Sequence, residues 1–186
     1  MVKLLYVTSN NVKFRQAVLA CKPKGIELEQ TKLHIDEIQS ETGEPVARDK
    51  AKKIFAKLRK PLVVSDDSWM IPGLKGFPGP YMKSINDWFT PEDWLRLTND
   101  LTDRTIILRQ IVVYQDEHGQ QLFSVDILGL LLREARGTSP YPHATVTSFD
   151  GGKHSSAEYH ERDESATQNH HNPWIEFANW YVKEKL

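Results

Sequence analysis

The chain has 186 residues, of which 39% are hydrophobic and 26% charged, the size and composition of one globular domain. Its 24 lysines and arginines against 25 aspartates and glutamates give a net charge of −1, so no overall positive field attracts nucleic acid or an anionic membrane. No apolar run reaches the roughly 18 residues that span a bilayer, and the amino-terminal run is too short for a signal segment, so we expect a cytoplasmic protein with neither partner.

The first third of the chain alternates between apolar runs and helical patterns. Residues 4–7 and 26–29 predict two strands, and a helix is expected after Asn11. Pro45 opens a second helix, and the apolar run 62–64 predicts a third strand. Strands that alternate with helices in this way favour a mixed α/β sheet.

The remaining elements are two long strands and two capped helices. Thr90 precedes one helical pattern, and Asn172 with the following proline caps the last one. Residues 105–115 and 121–132 predict long strands joined by a hairpin loop. We expect one domain over residues 1–186, with a second lobe that includes roughly 104–133.

A polar turn joins the first strand to the first helix. Thr8, Ser9 and Asn10 supply hydroxyls and an amide there, and the unpaired N–H groups of a helix N-terminus favour an anion. Lys13, one turn into the helix, adds a full positive charge. The same residues also fit an ordinary helix cap with a solvated lysine.

Carboxylates stand at two further places. Asp66 and Asp67 follow the apolar run 62–64, where two adjacent charges are costly unless a cation or hydrogen-bond donors compensate them. Glu37 and Glu41 lie in a polar loop ahead of the second helix. Carboxylate oxygens suit Mg²⁺, which binds through one or two of them together with substrate phosphates, although a solvated acidic loop is an equal alternative for the second group.

Together these motifs resemble the inosine triphosphate pyrophosphatase family, from Met1 to about Leu132. The resemblance rests on Thr8-Ser9-Asn10-x-x-Lys13, Glu37-Ile38-Gln39, residues 47–51, Ser65-Asp66-Asp67-Ser68 and Gly76-Phe77-Pro78-Gly79-Pro80-Tyr81-Met82-Lys83. It implies an elongated, two-lobed mixed-sheet α/β fold with the active cleft between the lobes, a homodimer, and Mg²⁺-dependent hydrolysis of a nucleoside triphosphate to monophosphate and pyrophosphate.

The resemblance also implies roles for individual residues. Glu37 and Asp67 would bind Mg²⁺ beside Asp66, and Asp67 would also be the catalytic base toward water. Glu41 is the alternative to Glu37, because the loop is two residues longer than in near relatives. The residues that would hold phosphates are Thr8, Ser9, Asn10, Lys13, Lys50, Ser68 and Lys83.

The carboxyl-terminal third departs from the family pattern. Residues 141–144 stand where the family has Phe-Gly-Tyr/Trp-Asp, and Ala144 cannot accept a hydrogen bond from a purine. The lysine and arginine that contact base and phosphate are also missing; only Glu164 and 168–170 stand nearby. His143 and His170 become candidates for a new base contact. The open alternatives are a catalytically inactive nucleotide- or partner-binding protein and a pyrophosphatase for pyrimidine triphosphates.

Overall fold

A computed structural model describes residues 2–162, 164–167 and 170–186, so Gln168 and Asn169 lie outside the described residues. Seven strands form one sheet in the order β2-β1-β3-β5-β6-β7, with β4 paired to β3. The strands are β1 (Val2–Val7), β2 (Ile26–Thr31), β3 (Leu62–Met70), β4 (Pro78–Gly79), β5 (Thr105–Asp116), β6 (Gly119–Leu131) and β7 (Thr147–Ser148).

The α-helices of the described residues are α1 (Asn11–Cys21), α2 (Gly43–Leu58), α3 (Met82–Trp88), α4 (Pro91–Thr98), α5 (Ser156–Glu161) and α6 (Pro173–Lys185). None of the helices in this described part is both long and apolar enough to cross a bilayer.

The sheet is mixed, as the sequence predicts. Strand β1 runs parallel to β2 and to β3, with Tyr6 opposite Val63. Strands β4 and β7 pair antiparallel with β3 and β6. Because β1 and β3 run in the same direction, the turn after β1 and the carboxylates of β3 leave the paired region on the same side.

The chain divides into two compact units. The first contains Met1–Asp67, Gln110–Val125 and His171–Leu186, and the second contains Ser68–Arg109 and Asp126–His170. The expectation of one domain with a second lobe near 104–133 stays a prediction.

The first unit buries both faces of its part of the sheet. Val63 belongs to a core cluster with residues of α1 and α6, and Val64 belongs to a separate cluster with residues of α2. Neighbouring strand residues point to opposite faces, so a strand covered on both sides reads as a continuous apolar run. Trp174 packs edge-on against Tyr6, with ring centroids 4.7 Å apart.

The second unit is built around Trp94, which is fully buried on α4. Its cluster also contains Ile71, Met82, Ile106 and Leu131.

Helix α4 begins at a reciprocal cap that the sequence predicts. The Asp93 backbone N–H donates to Thr90 Oγ1 at 3.2 Å, and the Thr90 N–H donates to Asp93 Oδ2 at 3.0 Å.

Several predicted boundaries are wrong, and three of them concern the elements around the site and the hairpin. Helix α2 begins at Gly43 rather than at Pro45, which lies inside its first turn. Strand β3 does not end before the carboxylates but continues to Met70, because β4 pairs with its last residues. The hairpin between β5 and β6 uses a two-residue turn, Glu117 and His118, because the pairing extends further than the apolar pattern indicates.

Candidate functional site

The turn between β1 and α1 is held by its own side chains. Asn10 Oδ1 accepts hydrogen bonds from the backbone N–H groups of Val12 at 2.9 Å and Lys13 at 3.1 Å. Thr8 Oγ1 accepts the N–H of Asn10 at 3.1 Å, and Ser9 is exposed. Asn10 is therefore the predicted helix cap. The binding of an anion by this turn stays a prediction.

Lys13 crosses from α1 to the third strand. Its Nζ lies 3.0 Å from Asp67 Oδ2, and the two side chains are 26% and 29% exposed. Burial by itself lowers the pKa of Lys13, but the carboxylates of Asp67 and Asp66 outweigh it and raise the pKa above its ordinary value. A fixed positive charge therefore lies against the acidic segment of β3.

Asp66 is the electrostatic centre of this region. Its Oδ1 accepts the backbone N–H of Asp67 at 2.9 Å. Burial raises the pKa of Asp66; the positive charges of Lys13 and Lys50 act in the opposite direction, and the carboxylates of Asp67 and Glu37 raise the pKa further. The structure thus brings together side chains from α1, α2, β3 and the polar loop, all within the first unit.

Glu37 reaches this cluster through a lysine of α2. Lys50 Nζ lies 2.7 Å from Glu37 Oε1, with the lysine side chain 22% and the glutamate 48% exposed. Lys53 Nζ donates to the backbone carbonyl of Asp36 at 2.9 Å, which ties the polar loop to the same helix. Glu41 is exposed. Among the described residues, it takes part in neither of the two ion pairs of this cluster.

Sequence reasoning missed a pair beside this cluster. The Tyr6 hydroxyl and Ser65 Oγ form a short hydrogen bond between β1 and β3. Burial raises the pKa of Tyr6 to about 12, although Lys13 partly opposes this. Ser65 belongs to the motif that contains the acidic pair, and because it precedes Asp67 by two residues it shares the strand face of Asp67.

The other predicted site residues belong to the second unit. Ser68 is buried on β3, and Lys83 is exposed at the beginning of α3. His143 and His170 lie in the same unit. The structure therefore divides the predicted set between the two units, and the phosphate contacts of Ser68 and Lys83 stay predictions.

His143 is part of the packed interior of the second unit. Its Nδ1 lies 2.7 Å from Asn86 Oδ1, and its ring stands edge-on to Trp69 with centroids 4.7 Å apart. Burial, with a smaller contribution from His160, lowers the pKa of His143 to about 3. The imidazole is neutral at pH 7, and because an amide oxygen only accepts, Nδ1 is the donor. Ala144 next to it is fully buried.

His170 is held by a backbone contact. Its Nε2 donates to the carbonyl oxygen of Phe149 at 2.8 Å, and the Phe149 ring packs on Trp69 with centroids 5.9 Å apart. In each of the two candidate histidines, one ring nitrogen therefore already forms a hydrogen bond within the second unit. Neither arrangement tests a contact with a nucleobase.

The cluster of the first unit has the donors that a polyphosphate and its cation require. Glu37, Asp66 and Asp67 supply carboxylate oxygens, and Lys13 and Lys50 supply ammonium groups. The described residues contain no group of three or more histidine, cysteine or acidic side chains arranged as a metal cage. Mg²⁺ does not need one, since it binds through one or two carboxylates together with substrate phosphates.

Comparisons with known proteins give the family. A dITP/XTP pyrophosphatase of Methanosarcina mazei is 31% identical over 153 residues, which is 81% of this chain and 83% of that protein. The Methanosarcina acetivorans protein of the same name is 27% identical over 99% of this chain and all of its own length. The solved HAM1 protein of Coxiella burnetii has the same fold, with a TM-score of 0.77 at 16% identity over 99% of this chain and 100% of that one. The Ham1 family profile matches residues 4–171, and the chain belongs to the Ham1 family.

Proposed function

We propose that the protein hydrolyses non-canonical nucleoside triphosphates to the monophosphate and pyrophosphate, with Mg²⁺ as cofactor. Two relatives that match over 81% and 99% of the chain are named dITP/XTP pyrophosphatases. The observation that carries the proposal is the pair of ion contacts on either side of Asp66: Lys13 Nζ lies 3.0 Å from Asp67 Oδ2, and Lys50 Nζ lies 2.7 Å from Glu37 Oε1. A triphosphate with its cation needs this combination of charges.

The residues of the cluster fit a divalent cation. Glu37 and Asp67 would hold Mg²⁺, with Asp66 beside them and Glu41 as the alternative to Glu37. When bound, Mg²⁺ would offset the negative charge of the phosphates. Burial raises the pKa of Asp66, and the charges of Lys13 and Lys50 offset this only in part, so a bound cation would further stabilise the carboxylate.

The chemical step needs a base, and we assign it to Asp67. Water attacks the α-phosphorus, its proton goes to the Asp67 carboxylate, and the bond from the α-phosphorus to the bridging oxygen breaks to release pyrophosphate. Lys13, 3.0 Å from this carboxylate, would bind a phosphate oxygen next to the reacting atoms. Lys50 would do the same from α2, and the remaining proposed phosphate contacts are Thr8, Ser9, Asn10, Ser68 and Lys83.

Recognition of the base is assigned to two histidines. His143 and His170 are the proposed contacts, each through the ring nitrogen that does not bond Asn86 or Phe149. A neutral His143 whose Nδ1 donates to Asn86 has Nε2 as an acceptor. We further propose that the protein is a cytoplasmic homodimer, which sedimentation or light scattering of the purified protein tests.

The test is pyrophosphate release from a panel of dITP, XTP, the canonical nucleotides and pyrimidine triphosphates, each with and without Mg²⁺. We expect release from dITP and XTP that requires Mg²⁺. Asp67→Asn should lower kcat by about 10²–10⁴, the contribution of a general base. Glu117→Gln, which removes an equal charge from a side chain 79% exposed in the β5–β6 turn, should leave kcat unchanged.

Two results contradict the proposal. Nucleotide binding without release from any member of the panel supports a catalytically inactive binding protein. Release only from pyrimidine triphosphates supports the other alternative.

A further inference from the structure

A depression in the second unit is lined by arginine side chains that have no role in the proposed reaction. It lies at the end of α4 and is lined by Leu95, Arg96, Asn99, Asp100, Arg104 and Arg133. Three arginines face it with one aspartate. Like charges that line one depression attract an anion, although solvent screens the exposed ones.

Among the described residues, Arg104 is fixed in place by backbone groups and has no acidic partner. Its Nε donates to the carbonyl oxygen of Leu131 at 2.8 Å, its Nη1 to that of Thr98 at 2.7 Å and its Nη2 to that of Leu132 at 2.7 Å. Every recorded partner is a backbone carbonyl, and a guanidinium has five N–H donors, so two remain. Burial, and to a smaller extent the charge of Arg133 in the same lining, lowers the pKa of Arg104.

The two other arginines are more accessible. Arg133 is exposed two residues after the end of β6, and the described residues give it no ion pair. Arg96 is 80% exposed, with Asp93 at 3.7 Å, which is a weak surface pair. Both side chains can turn toward a ligand in the depression without breaking a buried contact.

Ordinary structural causes explain only part of this grouping. Cations are favourable at a helix C-terminus, and Arg104 already meets the carbonyl of Thr98 at the end of α4. Asp100 Oδ1 accepts a hydrogen bond from Asn99 Nδ2 at 2.9 Å and offsets one charge. With Asp93 beside Arg96, Arg104 and Arg133 are the two lining arginines for which the described residues show no ion pair.

We propose that this depression binds a small phosphate-bearing anion. Arginine presents a planar fork of donors that matches phosphate oxygens in pairs, and a phosphate or pyrophosphate carries enough charge to balance several guanidinium groups. Pyrophosphate and the tail of a nucleotide present the same chemistry. The proposal does not depend on the reaction assigned to the first unit.

The experiment is calorimetric titration of inorganic pyrophosphate into the full-length Lys13→Gln protein without divalent metal, so that the proposed phosphate contacts of the first unit are weakened. We expect one saturable site. Arg133→Gln and Arg96→Gln in this background should each weaken binding about tenfold or more, because each removes a charge-assisted hydrogen bond. Arg104 is left intact because it holds three backbone carbonyls.

The matched control is Lys153→Gln, which removes one charge from an exposed side chain of the same unit that does not line the depression. It should change Kd by less than twofold. Thermal unfolding of each variant checks that the fold is kept. A parallel titration uses a non-hydrolysable nucleoside triphosphate. Whichever of the two ligands has the lower Kd identifies the anion as free pyrophosphate or as the tail of a nucleotide.

Absence of pyrophosphate binding to the Lys13→Gln protein would overturn the proposal. So would an equal loss in Lys153→Gln and Arg133→Gln, which would indicate general charge attraction. Neither result bears on the Asp67→Asn assay, so the two proposals fail independently.

Discussion

Lys13 and Asp67 should contribute measurably to the stability of the first unit. Their charged atoms are 3.0 Å apart, and the side chains are 26% and 29% exposed. An exposed ion pair contributes about 0–1 kcal/mol to the free energy of unfolding, and removing one partner of a buried pair costs about 3–5 kcal/mol. The exposure of this pair is intermediate. We therefore expect single substitutions to lower the free energy of unfolding by about 1–2 kcal/mol.

The two partners should differ in their effect. Lys13→Gln leaves the neighbouring carboxylates of Asp66 and Asp67 without the positive charge that offsets their repulsion, whereas Asp67→Asn leaves the ammonium group of Lys13 with the charge of Asp66 still nearby. Lys13→Gln should therefore be the more destabilising change, toward 2 kcal/mol, with Asp67→Asn nearer 1 kcal/mol, both approximate.

The assay is urea unfolding of the wild type, the two single variants and the double variant, which together form a double-mutant cycle. The expected coupling free energy is about 1 kcal/mol. The control cycle uses Lys183 and Glu184, whose charged atoms are 3.1 Å apart but whose side chains are 82% and 45% exposed; its coupling should be about 0–0.5 kcal/mol. Equal coupling in the two cycles, or a larger loss from Asp67→Asn than from Lys13→Gln, would refute the reasoning.

Three further predictions concern local contacts. Thr90→Ala removes the acceptor for the Asp93 N–H and should cost about 1 kcal/mol in urea unfolding, whereas an unchanged midpoint would contradict the cap. Burial would raise the pKa of Asp150, but hydrogen bonds, first from the backbone and side chain of His154, lower it well below its ordinary value. Because the folded pKa is depressed, this stability is present above the unfolded pKa of about 3.9 and is lost as pH falls below it. Asp150→Asn should therefore flatten the fall of Tm between about pH 4 and pH 2. Burial raises the pKa of Cys21 to about 12, so a thiol reagent at pH 8 should label it only in urea, and rapid labelling of the native protein would contradict its burial.

Helix caps and strand cores could be predicted from the sequence because a cap depends on residues within one turn. Asn10, Thr90 and Asn172 each accept a backbone N–H at the beginning of the predicted helix. The end of β3 could not be predicted, because its last residues pair with β4 across an irregular connection.

The candidate site was only partly predictable. The motifs named Lys13, Glu37, Lys50 and the acidic pair of β3, and the structure brings these together in the first unit. The contact of His143 with Asn86 joins residues 57 positions apart and had no local signal.

The sequence by itself determined the mixed α/β character, the caps and the family resemblance, because these are set by neighbouring residues and by apolar periodicity. Only the tertiary structure decided which charges meet, Lys13 with Asp67 and Lys50 with Glu37, and that Arg104 and Arg133 line one depression. Electrostatic interactions act between residues that the chain path brings close, and the pairing of strands and the packing of helices set that path. The sequence therefore indicated which charged residues were candidates for the site, and the tertiary structure determined which of them form ion pairs.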